Sequence, residues 1–166
     1  MKKLIILNGT MGAGKTTVGR LLMQKLQPSA FLDGDWCWDM NPFVVNEENK
    51  AMVLDNITHL LKAYLNNSGY EYVIFCWVIH QEEIFRQILE PLCGMDFELH
   101  RITLMCSETA LRQRLGLDVQ NGIRQPDVIE RSVARLPLYE KMDTVKIDVS
   151  GISPAQAAEQ IAGLMK

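Results

Sequence analysis

The 166-residue sequence predicts an α/β fold, a parallel sheet with helices on both faces. Three observations carry the prediction. Strand-like and helix-like stretches alternate along the whole chain. The run Tyr72-Val73-Ile74-Phe75-Cys76-Trp77-Val78 is apolar without interruption, the pattern of a central strand covered on both sides. Gly9-Thr10-Met11-Gly12-Ala13-Gly14-Lys15-Thr16 fits G-x-x-x-x-G-K-[ST] between a strand-like run and a helix-like run.

Taken in order, Lys3 to Asn8 reads as the first strand, and Val18, Leu21, Leu22 and Leu26 continue beyond the glycine loop with helical spacing. Ala30-Phe31-Leu32 is a short strand ending at Asp33-Gly34-Asp35, followed by a loop from Trp36 to Phe43. Asn46 is an N-cap with Glu47 and Glu48 in the first turn. Val53, Ile57, Leu60, Leu61 and Tyr64 mark one face of that helix, and Asn66-Asn67-Ser68-Gly69 ends it. After the third strand, Gln81 to Leu92 reads as a helix and Leu99 to Met105 as a strand rich in branched residues. A helix near Thr109 to Leu115, a polar interval from Gly116 to Gln125 and a helix from about Pro126 to Glu140 come next. Thr144 to Val149 is a fifth strand. Ser153 and Gln156 form a capping box around Pro154 that opens the last helix.

The length leads us to expect one domain, residues 1–166, with a real core. A formal charge of -3 does not suggest a non-specific nucleic-acid surface. No apolar run approaches the roughly 20 residues of a membrane span. Met1-Lys2-Lys3 leads straight into a strand with no leader-like region, so a cytoplasmic protein is expected, as monomer or homodimer. Cys37, Cys76, Cys93 and Cys106 are too dispersed for a zinc site or disulfide frame and read as reduced, mostly buried thiols.

The glycine loop carries the chemistry. Glycines allow a turn in which successive backbone N–H groups point inward at an anion, and the following helix N-terminus adds partial positive charge. Gly9 to Thr16, with Thr17 behind them, are therefore the candidates for nucleotide phosphates. Lys15 reaches the β and γ phosphates, and Thr16 supplies a hydroxyl to magnesium. Asp33 and Asp35 stand two apart after the second strand; extended backbone there would send both side chains to one side. The third strand ends in Cys76-Trp77, where an acidic residue would complete a metal site, so Asp33 is the magnesium candidate and Asp35 the base or acceptor-orienting group. A turn that merely caps the strand is the plain alternative.

Five of the eight arginines, Arg112, Arg114, Arg124, Arg131 and Arg135, fall within 24 residues and are candidates for a phosphate clamp. An exposed helix face with ion pairs is the other reading of the same cluster. No arginine lies between Leu21 and Phe85, the half expected to build the acceptor pocket, while all three tryptophans do. Trp36, Trp77 and His80, with Trp38, thus point to an uncharged, aromatic or sugar-like acceptor bearing a hydroxyl.

Over nearly its full length the chain resembles the small P-loop kinases: adenylate, shikimate, gluconate and adenylylsulfate kinases and chloramphenicol phosphotransferase. The glycine loop, the Asp33-Gly34-Asp35 pair, Leu111-x-x-Arg114-Leu115 with the later arginines, and Ile147-Asp148-Val149-Ser150 carry that resemblance. It implies sheet order 2-3-1-4-5, ATP and Mg²⁺ as cofactors, and an arginine-rich lid over about 112–135. It further implies Arg114 and Ser150 beside the adenine. No arginine-bearing acceptor site of the adenylate kinase type and no shikimate- or gluconate-specific motif is present. The expected activity is transfer of the γ-phosphoryl of ATP to a small-molecule hydroxyl, with Lys15, Asp35, Arg124 and Arg131 as catalytic groups. A nucleoside or nucleotide kinase, or a non-catalytic ATP-binding module, are the competing expectations.

Overall fold

The computed structural model describes all residues, 1–166. Its five strands are β1 (Lys2–Asn8), β2 (Ser29–Asp33), β3 (Tyr72–Cys76), β4 (Phe97–Met105) and β5 (Val145–Asp148). They form one sheet in the order β2-β3-β1-β4-β5, every pairing parallel, which is the expected order. The six α-helices are α1 (Lys15–Lys25), α2 (Glu47–Asn66), α3 (Glu82–Leu89), α4 (Glu108–Gln120), α5 (Val128–Glu140) and α6 (Pro154–Gly163).

Leu4, Ile5, Ile6 and Leu7 of β1 are wholly buried, and successive side chains divide between two cores. Ile5 and Leu7 pack with residues of α1, α4 and α6; Leu4 and Ile6 pack with residues of α2 and α3. That alternation is the pleat of a strand buried on both faces. Helix α5 belongs to both cores, with Val128 in the first and Tyr139 in the second. It therefore passes from one layer to the other.

Side chains cap α2, α4 and α6. Asn46 Oδ1 accepts from Asn49 N–H at 2.8 Å, and Ser153 with Gln156 makes a reciprocal capping box. Several boundaries differ from expectation, the following three among them. β3 stops at Cys76, two residues early, although Trp77 N–H still donates to Leu7 O at 3.1 Å. The predicted helix through Leu92 divides into α3 and a 3₁₀ turn at Glu90–Leu92, since Pro91 has no N–H to continue the α-helical ladder. Helix α4 runs on through Gly116 to Gln120, because Leu111 and Leu115 anchor it in the core and outweigh the cost of about 1 kcal/mol for an interior glycine. The polar interval shrinks accordingly. Of the four thiols, Cys76 and Cys106 are buried and Cys93 is exposed. No helix is long and apolar enough to cross a membrane.

Candidate active site

The turn between β1 and α1 has the conformation its glycines permit. Gly9, Gly12 and Gly14 all take positive φ, 147°, 85° and 91°. Gly12 is also sterically fixed: a Cβ there would lie 2.7 Å from Leu115 Cδ2, so α4 rests directly on the loop. Lys15 Nζ donates to Thr10 O at 2.9 Å, which curls the lysine back over the loop. Crowding by protein atoms holds its ammonium below the ordinary lysine pKa, against the pull of Cys76, Asp35 and Asp33. Thr16 and Thr17 stay exposed on the first turn of α1. Met11 and Ala13 complete the loop, Ala13 N–H donating to Thr10 O at 3.2 Å. An open loop at a helix N-terminus, with a lysine folded across it, fits the phosphates of a nucleotide.

At the neighbouring strand end, Thr16 Oγ1 donates to Asp33 Oδ2 at 2.6 Å. A hydroxyl and a carboxylate so placed fit a divalent cation, each offering the hard oxygen that magnesium prefers. The extended backbone expected to place Asp33 and Asp35 on one side is not what the structure has. The backbone is extended only to Asp33; Gly34–Trp38 is a 3₁₀ turn, and Asp33 Oδ1 caps it by accepting from Asp35 N–H at 3.0 Å. The cap and the contact with Thr16 use different oxygens of one carboxylate. Crowding first, then the charge of Asp33, raises the Asp35 pKa; Lys15 and Arg124 oppose this. Gly34 lies against Trp77, since an added Cβ would stand 2.6 Å from the indole Cδ1 and Cγ. Cys76, buried at the end of β3, has its thiol pKa pushed up by burial and then by Asp33.

Beside this pair opens a cavity of about 1210 Å³. Asp35, Trp36, Trp38, Trp77 and His80 line it together with Phe43. All the acceptor-side residues expected from the sequence are thus brought together. Lys50, Arg131 and Arg135 line it as well, alongside Asp39 and Glu47, and Lys50 pairs with Glu47 at 2.8 Å, so the cavity is not without arginine. The stretch without arginine in the chain is not without arginine in space, because α5 carries two of them across to it. Arg131 pairs with Asp127 at 3.2 Å, whereas Arg135 makes no hydrogen bond or ion pair with any side chain. His80 is held below the ordinary histidine pKa by burial and then by Arg135, and its Nδ1 is buried without a partner.

The other arginines separate. Arg112 is bound to Glu108 and Glu130 on the outer face, away from the loop, an ordinary helix ion-pair arrangement. Arg114 donates through Nη2 to Val149 O, so it meets the loop after β5. Ser150 belongs to that loop; its Oγ accepts from Ser107 N–H at 2.7 Å. Arg124 Nε donates to Asp118 Oδ2 at 3.0 Å.

A family model described as an AAA domain matches residues 5–135. The chain belongs to that family. Threonine synthase-like 1 of Pongo abelii is 27% identical to this AAA-domain chain over 179 residues, covering 99% of the chain and 22% of that protein. The chain therefore spans less than a quarter of its relative. The Deinococcus radiodurans tunicamycin resistance protein superposes with a TM-score of 0.68 at 21% identity, over 99% of this chain and 96% of that one. A gluconokinase from Sinorhizobium meliloti 1021 does so with a TM-score of 0.69 at 19% identity, over 99% and 91%. At such identities the likeness is one of fold.

Two polar residues tie the site of the AAA-domain chain together: Asn8, which sequence reasoning passed over, and Thr10, one of the expected phosphate-side residues. Asn8, fully buried, accepts from Ile79 N–H at 2.8 Å through Oδ1 and so holds the segment carrying Trp77 and His80 against β1. Thr10 Oγ1 donates to Ser132 O at 2.9 Å, linking the glycine loop to α5. The available signal was a lone asparagine closing the apolar run Leu4-Ile5-Ile6-Leu7, where a polar group needs a partner.

Proposed function

We propose that the chain is an ATP- and magnesium-dependent kinase that transfers the γ-phosphoryl group of ATP to a hydroxyl of a small molecule held in the aromatic cavity. The observation that carries this reading is the meeting of the two halves at Asp33 and Asp35. Asp33 touches Thr16 of the glycine loop, and Asp35 lines the cavity.

In this reading the backbone from Gly9 to Thr17 cradles the phosphates, Lys15 leaves Thr10 O to neutralise the β and γ oxygens, and Thr16 and Asp33 hold the cation. Magnesium, when bound, withdraws charge from the phosphate oxygens. Asp35 accepts the proton of the acceptor hydroxyl as its oxygen bonds to the γ-phosphorus; the bond to the β,γ-bridging oxygen breaks and its electron pair leaves on ADP. Arg124 offers its guanidinium to the transferring group, and Arg114 and Ser150 border the adenine. Arg131 and Arg135 give the cavity two cations, so the acceptor we favour joins a flat or apolar body to an acidic group. The names of the tunicamycin resistance protein and the gluconokinase support a small-molecule substrate. A nucleoside is the second acceptor class, since the tryptophan faces would stack a base. The cytoplasm, where ATP is supplied, is the proposed place of action.

The test is a transfer screen with γ-labelled ATP across hydroxy acids, sugars, nucleosides and phenolic acids, with Lys15→Ala as control. Label on an organic product, lost in the control, is the expected result. Label released only as inorganic phosphate, whatever the acceptor offered, would favour a hydrolytic or switch-like module instead.

A further inference from the structure

We propose that Asp118 is a positioning residue that holds Arg124 over the phosphate cradle for the transferring phosphoryl group, an inference that rests on the kinase reading above. Leu111, Leu115 and Asp118 share one face of α4, at spacings of four and three residues. The first two meet the glycine loop at Gly12, so Asp118 stands one turn farther along the face that rests on the cradle. Helix α4 ends at Gln120, and the chain doubles back through Gly122 with φ 71°. Ile123 N–H and Arg124 N–H then both donate to Asp118 O, at 2.8 and 3.4 Å. Asp118 Oδ2 accepts from Arg124 Nε at 3.0 Å. One residue fixes the arginine by its carbonyl and by its carboxylate.

The choice of nitrogen matters. Arg112 spends Nε and both terminal nitrogens on glutamates, Arg114 spends Nη2 on Val149 O, and Arg131 spends Nη1 on Asp127. Arg124 is held through Nε, which leaves its two terminal nitrogens and their four N–H groups for phosphoryl oxygens. Its charge is felt at both Lys15 and Asp35. Both partners are about one-third exposed, 32% and 33%, and a pair so placed contributes little to stability. What it fixes is direction.

The experiment measures binding of MgADP alone and of MgADP with aluminium fluoride, which mimics the transferring group, by calorimetry. It compares the wild type with Asp118→Ala, Arg124→Ala and the double variant. MgADP affinity should be the same in Asp118→Ala as in the wild type. The gain from fluoroaluminate should fall roughly 10- to 100-fold in Asp118→Ala, as a misplacement of about 1 Å would produce. It should fall at least as far in Arg124→Ala, and no further in the double variant. A full gain in Asp118→Ala, or a further loss when Asp118→Ala is added to Arg124→Ala, would overturn the positioning role while leaving the kinase reading intact. A wild type that binds no MgADP would overturn both. Unchanged unfolding midpoints in all variants separate positioning from a merely structural turn.

Discussion

Thr16 Oγ1 and Asp33 Oδ2 are joined at 2.6 Å, so the first turn of α1 and the end of β2 meet at a single hydrogen bond. The bond is made by the two oxygens that our reading gives to one cation. Asp33 is 5% exposed and uses its other oxygen to cap the following turn.

Asp33→Asn keeps an oxygen for the cap and removes the charge. The fold should be retained, and nucleotide should still bind in the absence of magnesium. Magnesium should no longer strengthen binding, and turnover should fall at least about a hundredfold, given that a metal ion supplies several kcal/mol of charge stabilisation. Nucleotide titrations with and without magnesium decide it; an unchanged magnesium effect would remove Asp33 from the metal site.

Asp35 has a raised pKa in the folded protein, so its ionised form opposes folding: stability is lost as pH rises through the window between its unfolded and folded values. Asp35→Asn should therefore unfold at a higher temperature than wild type at neutral pH, and this gain should vanish below the ordinary aspartate range. The same carboxylate must be ionised to accept a proton, so wild-type turnover should fall on acidification. Removing the opposing cation in Arg124→Ala should move that fall to higher pH.

Asn8→Ala would leave Ile79 N–H buried without its acceptor. The expected cost is about 1–3 kcal/mol, read as a shift in the denaturant midpoint at constant slope. Because the Asn8 contact holds the segment bearing Trp77 and His80, acceptor affinity should fall while nucleotide affinity stays the same.

Arg135→Leu removes a cation that has no protein partner, so little stability should be lost. The Michaelis constant for an acidic acceptor should rise roughly 10- to 100-fold, the worth of about 1.5–3 kcal/mol for a hydrogen bond to a charged group, with that for ATP unchanged. The pKa of His80, freed of its cationic neighbour, should rise. An acceptor bound equally well by this variant would return the cavity to uncharged molecules.

The strands and the glycine loop were legible because each depends on local signals: apolar runs bounded by turns, and a spacing that forces a tight loop before a helix; the sheet order came only from the resemblance to the small P-loop kinases. Asp33 and Asp35 were legible as a pair but not in their geometry, since a 3₁₀ turn capped by Asp33 itself has no distinct spacing from an extended stretch. The cations of the cavity were hidden for a topological reason. Arg131 and Arg135 lie some ninety residues from Trp38 in the chain, and only the passage of α5 between the two cores brings them to the same wall. Asp118 was hidden because its partner is reached through a reversal at Gly122 that composition does not announce.

Trp36, Trp38 and Trp77 are all the tryptophans of the chain, and all three line one cavity. Indole emission from this protein consequently originates at the walls of that cavity. The unlabelled protein is its own optical probe: a molecule that enters the cavity should quench or shift the whole signal, so its binding can be followed without a label.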